Sequence, residues 1–306
     1  TKEYSKKLLS VVKEENFDIL EIHNRPIMVN QFIDYTKSKV ILYFHNDPTT
    51  MKGAKTISER RQLLKNVDKI VFISKWVKKK FFENLNIDSN SKTEIIYHSV
   101  NKLKKFNYKK KKQIIFVGKL NKSKGYDIFC GAVKNVLQNN HKWSAFSYGE
   151  EKRFQDFETH PRHKNKGQVA HDKILKIFEK SEIAIIPSRW EEPFGRTALE
   201  ASSRGCATII SNRGGLTETT NHALVLNKTN INSLTLKLKE LIKNKNLRRN
   251  LQISGFKNVK HNIAENSKKI DEMRNSLFPF SFFNSKNRKI RILNIYNLAQ
   301  KLNHRI

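Results

Sequence analysis

The sequence predicts an α/β protein built from two successive parallel sheets, each flanked by helices. Three observations lead there. Short apolar runs alternate with segments of helical periodicity along most of the 306 residues. Runs such as Ile114-Ile-Phe-Val and Ile183-Ala-Ile-Ile are continuously apolar, as strands covered on both faces require. A lysine-rich stretch, Lys102–Lys112, has only Leu103 and Phe106 as large aliphatic or core-type residues and divides the series in two.

In the first half a helix over Glu3–Lys13 precedes a strand at Asp18–His23. A helix near Met28–Thr36 leads to a strand at Lys39–His45, and one over Ser58–Asn66 leads to Lys69–Ile73. The helix Lys75–Asn84 then precedes a strand at Glu94–Tyr97. After the lysine-rich stretch come strand Gln113–Val117, helix Gly125–Gln138 and strand Trp143–Tyr148, with less regular chain to Gly167. Helix His171–Lys180, strand Glu182–Pro187, helix Arg196–Arg204 and strand Ala207–Ser211 follow. Helices near Ile231–Asn244, Leu247–Lys257 and Ala264–Leu277 close the pattern. The expected division is a domain over 1–101, a linker over 102–112, a second domain over 113–262, a closing helix over 263–278 and a tail over 279–306. Within the tail, Asn287–Tyr296 reads as the opening strand of a further domain.

Composition narrows the function classes. With 38% hydrophobic residues the chain can fill two cores, and no apolar run reaches the length of a membrane span. The cysteines, Cys130 and Cys206, offer neither a disulfide framework nor metal-ligand spacing, so a reducing, cytoplasmic setting is expected. The formal net charge is +32. It suits polyanion binding, but the lysines spread over every expected surface, as biased codon use would leave them, and nucleic acid is not the expected partner. Lys78-Lys79-Lys80, beside Trp76, Phe81 and Phe82, could rest on an anionic membrane surface, while ordinary core packing is the favoured account of the aromatics.

The chemistry concentrates in Glu192-Pro-Phe-Gly-Arg-Thr-Ala-Leu-Glu200. A buried strand, a turn at Pro193 and Gly195, and a helix start bring unpaired N–H groups and the positive end of a helix dipole to a sheet edge. Two carboxylates bracket that anion-ready turn, and a carboxylate there is suited to accept hydrogen bonds from sugar hydroxyls. Phosphate between hydroxylated groups describes a nucleotide sugar. Upstream, Gly118-Lys-Leu-Asn-Lys-Ser-Lys124-Gly125 follows a strand. Downstream, Gly214-Gly-Leu-Thr-Glu218 follows another.

Glu192 and Glu200 resemble the E-x7-E signature of the retaining family-4 glycosyltransferases. The two flanking motifs resemble that family's G-(R/K)-L-x-x-x-K-G and G-G-x-x-E turns. The resemblance covers roughly residues 110 to 225 and implies the GT-B fold, two facing Rossmann-like domains. It assigns Lys119 and Lys124 to the donor diphosphate, whose departing charge two ammonium groups stabilise without a metal. It assigns Glu200 to the ribose hydroxyls and Glu192 to the transferred sugar, although Glu191 competes for the inward position. Gly118, Phe194, Gly195, Arg196 and Thr197 would lend backbone groups to the donor, and the loop Gly167–His171, with Val169, would meet the base. His45, at the end of its strand, resembles a family histidine beside the anomeric centre, and His23 ends the adjacent strand similarly. The closing helix would cross back to the first domain.

Departures from the family pattern are also legible. Lys119 stands where the family often has Arg, which loses a bidentate fork, and Ser99 replaces a customary Gly. The family has further β/α units ahead of Asp18–His23, on the order of 60 residues, so the chain is expected to be part of a longer glycosyltransferase. No Asp-x-Asp, G-x-S-x-G or G-x-G-x-x-G motif occurs, and no cofactor or metal is expected. The expected partners are a nucleotide diphosphate sugar and a saccharide or lipid-linked saccharide acceptor, in cell-envelope polysaccharide or lipopolysaccharide assembly. The rival readings are a non-catalytic fragment that binds nucleotide sugar or saccharide, and a charge-driven polyanion binder.

Overall fold

The largely apolar runs Ile19–His23 (β1), Lys39–Phe44 (β2) and Lys69–Phe72 (β3) and the short segment Thr93–Ile95 (β4) lie side by side as parallel strands. Helices Ile27–Phe32 (α1), Ile57–Asn66 (α2) and Lys75–Phe82 (α3) connect them. Local chemistry sets where these helices begin. Thr56 and Glu59 form a reciprocal capping box at α2, and the Ser74 hydroxyl accepts from the Val77 N–H at α3. Phe44, Phe72 and Phe81 are fully buried, with ring centroids 5.2–5.8 Å apart, so α3 is held by its aromatic face. Phe81 is thereby a core residue rather than a surface anchor.

This computed structural model describes residues 9–13, 16–87, 91–151, 157–259, 261–282 and 289–295. The chain divides into two units, Thr1–Tyr97 with Ala264–Ile306, and His98–Ile263. Of the expected first helix, Leu9–Lys13 is described and helical; its other residues fall largely outside the described set.

The second unit has strands Lys111–Val117 (β5), Ser144–Tyr148 (β6), His163–Asn165 (β7), Ser181–Ile186 (β8), Ala207–Ser211 (β9) and Ala223–Leu226 (β10). All pair in parallel in the order β10-β9-β8-β5-β6-β7. Helices Tyr126–Leu137 (α4), His171–Lys180 (α5), Arg196–Ser203 (α6), Ile231–Lys243 (α7) and Lys245–Lys257 (α8) cover it. Alternation along β5 feeds two cores. Ile114 and Phe116 join Phe129, Val133 and Leu234, while Ile115 joins Ile174, Ala184 and Ile210. The strand order reverses between β5 and β8. The loops leaving their carboxyl ends there carry Gly118–Gly125 and Pro187–Gly195, the position at which open parallel sheets take ligands.

Three features differ from the sequence reading. The lysine-rich stretch is not a bare linker, because it packs on the second unit. Phe106 stacks edge-on to Phe256 at 5.3 Å, and Lys110 Nζ donates to the carbonyls of Glu179 (2.8 Å) and Arg204 (3.1 Å). Burial holds the Lys110 ammonium below its ordinary value. The irregular chain before Gly167 contains β7, and β10 adds a strand beyond β9; both are short edge strands, and β7 (His-Lys-Asn) lacks an apolar run. The tail, read as opening a further domain, instead supplies Ile292–Asn294 (β11) to the first sheet. That strand is parallel to β1, with Ile19 opposite Ile292, giving the order β11-β1-β2-β3-β4. The helix Ile263–Asn275 (α9) packs Met273 into the same core as Ile19, Ile41 and Val71. Among the described residues no helix is long and apolar enough to cross a membrane.

Candidate functional site

Backbone without side chains brings the two loops of the second unit together. Gly125 has φ +72°, and a Cβ there would lie 2.0 Å from the Pro187 carbonyl oxygen. Only glycine lets the turn after β5 sit against the end of β8. Ser123 O accepts from the N–H groups of both Arg189 (2.9 Å) and Trp190 (3.0 Å). Arg189 reinforces the contact with a bidentate pair to Asp127 at 2.6 and 2.7 Å, which holds its guanidinium above its ordinary value. Asn121 caps the short 3₁₀ turn by accepting from the Lys124 N–H at 3.0 Å.

On this frame Lys124 Nζ donates to Glu192 Oε1 at 2.7 Å. The Glu192 side chain is 12% exposed and that of Lys124 33%, so the pair is partly shielded yet reachable. Glu191 has a different task. Its Oε2 accepts from the Gly214 N–H (2.6 Å) and its Oε1 from Arg213 Nη1 (2.9 Å), which ties the loop to the glycine turn after β9. Of the two neighbouring carboxylates, Glu192 is therefore the one that meets Lys124.

Glu200 lies in the second turn of α6 and is buried. Its Oε1 accepts from Arg196 Nε (2.8 Å), one turn earlier, and from His171 Nε2 (2.8 Å) at the start of α5. Both donors are more than half exposed, at 57% and 56% of their side chains. A buried carboxylate under two exposed donors can exchange them for the hydroxyls of a bound group. Gly195, at φ +97°, starts α6 with no side-chain cap; its carbonyl accepts from the Ala198 N–H (3.0 Å), and the N–H groups of Arg196 and Thr197 point out of the helix start toward an incoming anion. Phe194 is fully buried, flanked by the rings of His98 (6.0 Å) and His261 (5.6 Å). Burial, with Arg196 nearby, holds the His98 imidazole below its ordinary value, against a smaller opposing pull from Glu200.

The sequence-derived residues thus divide. Lys124 and Glu192 touch; Glu200 gathers Arg196 and His171; Gly118, Phe194 and Gly195 lie on the same two loops, and Thr197 in the first turn of α6. Lys119 is exposed, and among the described residues it makes no ion pair. Val169 is half-buried against the Ile115 core, just ahead of α5. His171 as a Glu200 partner had no sequence signal beyond its place at a helix start. Two cavities lie elsewhere: one of about 30 Å³ at Tyr108, Glu182 and Arg248, another of about 270 Å³ between Glu94–Ile96 and α9.

His45 belongs to the first unit. It follows β2, and its Nε2 lies 3.0 Å from Nδ1 of His23, which ends β1. The His23 ring stacks on Tyr43 with centroids 4.2 Å apart. Below them Glu21, 1% exposed, accepts from Tyr43 Oη (2.8 Å) and from Arg274 Nε and Nη2 (3.0 and 2.9 Å). Burial pushes the Glu21 carboxyl upward, but its charged and hydrogen-bonding neighbours, Arg274 and Tyr43 among them, outweigh it and leave it below its ordinary value.

Residues 99–258 match the family model described as glycosyl transferases group 1. MJ1178 of Methanocaldococcus jannaschii, an uncharacterized glycosyltransferase, is 31% identical over 199 residues, 62% of this chain and 54% of that protein. An uncharacterized 42.6 kDa protein in a cps region of Klebsiella pneumoniae is 30% identical over 162 residues, 52% of this chain and 42% of that protein. The chain thus spans about half the length of these curated relatives. Among solved structures, HepE of Anabaena in complex with UDP-glucose superposes with a TM-score of 0.69 at 15% identity, covering 89% of this chain and 82% of that one. The likeness identifies the α/β architecture as GT-B.

Proposed function

This chain belongs to the glycosyl transferases group 1 family, and on that premise we propose that it transfers a sugar from a nucleotide diphosphate sugar to a saccharide acceptor with retention of configuration. The observation that carries the reading is the pairing at the strand-order reversal: a reachable Lys124–Glu192 ion pair in the loop that leads into α6, and on α6 a buried Glu200 under exposed donors. In the reaction the diphosphate lies over the Gly195 helix start and takes Lys124 and Lys119 as counter-charges. Lys124 releases Glu192, which turns to the hydroxyls of the transferred sugar, and Glu200 accepts from the ribose. Developing negative charge on the leaving diphosphate is met by fixed dipoles and ammonium groups. The bound donor in HepE supports a UDP-sugar, and the cps-region relative supports a role in cell-envelope polysaccharide assembly. Retention and the role of His45 rest on the family resemblance.

A thermal-shift screen of UDP, GDP and ADP and their sugars, followed by donor hydrolysis and transfer assays, tests this. A nucleoside diphosphate that raises the melting point in proportion to RT ln(1 + [L]/Kd) is expected. Binding of every polyphosphate alike, with no nucleoside preference and steep salt dependence, would instead mark a charge-driven polyanion binder.

A further inference from the structure

We propose that Asn294, on β11, is a positioning residue that sets the tautomer of His45 through His23, so that His45 works as a hydrogen-bond donor from Nδ1 and not as a base. The inference deepens the role of His45 proposed above and rests on it only for its catalytic consequence.

The assignment starts from Glu21. Its carboxylate already accepts from Tyr43 and from two nitrogens of the Arg274 guanidinium, which hold it in the ionised form, so it can only accept. Asn294 Nδ2 lies 3.2 Å from Glu21 Oε2 and 3.0 Å from His23 Nε2. With the amide turned the other way, its oxygen would face the carboxylate, acceptor against acceptor. The amide nitrogen is therefore the atom at both contacts, and its two protons go one to each. His23 Nε2 must then accept, which leaves the His23 proton on Nδ1. That proton points at His45 Nε2, 3.0 Å away. His45 Nε2 accepts in turn, and its own proton sits on Nδ1. The 3.9 Å separation of His23 Nε2 from Glu21 Oε2 is too long for a direct hydrogen bond, so Asn294 is the link. Stacking of His23 on Tyr43, within 5° of parallel, and the bond from the His45 backbone N–H to Asn24 Oδ1 (3.1 Å) hold the two residues in register. Every member lies in one unit, and the residue that sets the direction comes from the far end of the chain, 271 positions from His23.

The test is long-range ¹H–¹⁵N correlation of the histidine rings, near neutral pH, in the wild-type protein and in Asn294→Leu, alongside steady-state kinetics. The wild type is expected to show His23 and His45 protonated on Nδ1. Asn294→Leu removes both donors at similar volume, and melting curves establish that it folds. It is expected to mix the His45 tautomers and to lower kcat about tenfold with the donor KM within twofold. A wild-type His45 protonated mainly on Nε2, or unchanged tautomers in Asn294→Leu, overturns the proposal whatever the activity. Should the tautomers come out as expected while His45→Phe transfers sugar at the wild-type rate, the relay stands and the catalytic role of His45 fails.

Discussion

Lys124 and Glu192, 68 positions apart, meet at 2.7 Å across the ends of β5 and β8, and each is the other's competitor for substrate. A diphosphate needs the ammonium and a sugar hydroxyl needs the carboxylate. The pair therefore opens as the donor enters, and its two halves should separate in binding and turnover. Glu192→Gln removes the competitor, so nucleoside-diphosphate affinity is expected to hold or rise while transfer falls by at least about tenfold. Lys124→Met should weaken nucleoside-diphosphate binding by about tenfold or more. Calorimetry on both variants checks this; equal losses of affinity would refute the division.

Glu200 offers a sharper contrast because it reads hydroxyls and not phosphate. Glu200→Gln turns an acceptor-only group into one whose amide also donates, at a buried site. Affinity for the nucleoside diphosphate is expected to fall by ~10–100-fold, about 1.4–2.8 kcal/mol. Affinity for inorganic pyrophosphate should change little. A parallel loss for both ligands would assign Glu200 a purely structural role.

Gly125→Ala tests the frame beneath the site. The new Cβ meets the Pro187 carbonyl and the backbone φ is +72°. Destabilisation on the order of 3 kcal/mol is expected from strain and overpacking together, read as a lower urea midpoint. A neutral Gly125→Ala would mean the two loops are not in contact.

Arg274→Leu should leave Glu21 buried with too few donors. The expected loss is about 3–5 kcal/mol, as for a broken buried pair. Adding Glu21→Gln should restore part of it, since a neutral amide costs less to bury. A double variant no more stable than Arg274→Leu would show that the charge is not what matters there.

Acid stability should depend on His163. Burial beside Ser147, with Ser147 Oγ 3.1 Å away, pushes its imidazole down to about 4 from an ordinary value near 6.5. The folded form then binds fewer protons than the unfolded one between those values. Its contribution is complete above pH 6.5 and is lost as pH falls toward 4, roughly 3 kcal/mol at most. Denaturant midpoints between pH 7 and pH 4.5 should fall further for the wild type than for His163→Asn.

The sequence reading recovered the strands with continuous apolar runs, β1 to β3, β5, β8 and β9, because burial on both faces writes itself into composition. It missed β7 and β10, edge strands of three and four residues with partly exposed pleats. Lys110 looked like a solvated linker residue because its aliphatic stem and three carbonyl partners are not encoded near it in the chain. The two carboxylates, the glycine turns and the lysines of the donor site could be found by spacing alone, being local to two loops.

Partnership is what only the tertiary structure decided. Which of Glu191 and Glu192 meets Lys124, that His171 covers Glu200, and that Asn294 reaches His23 are all long-range choices made by sheet order and register. The same holds for β11: its residues read as a strand in isolation, but the sheet it would join was undetermined until β1 offered an open edge in register. A strand or a helix start is specified by a few neighbouring residues, through periodicity and capping. A hydrogen bond between distant side chains is specified by the packing of everything between them.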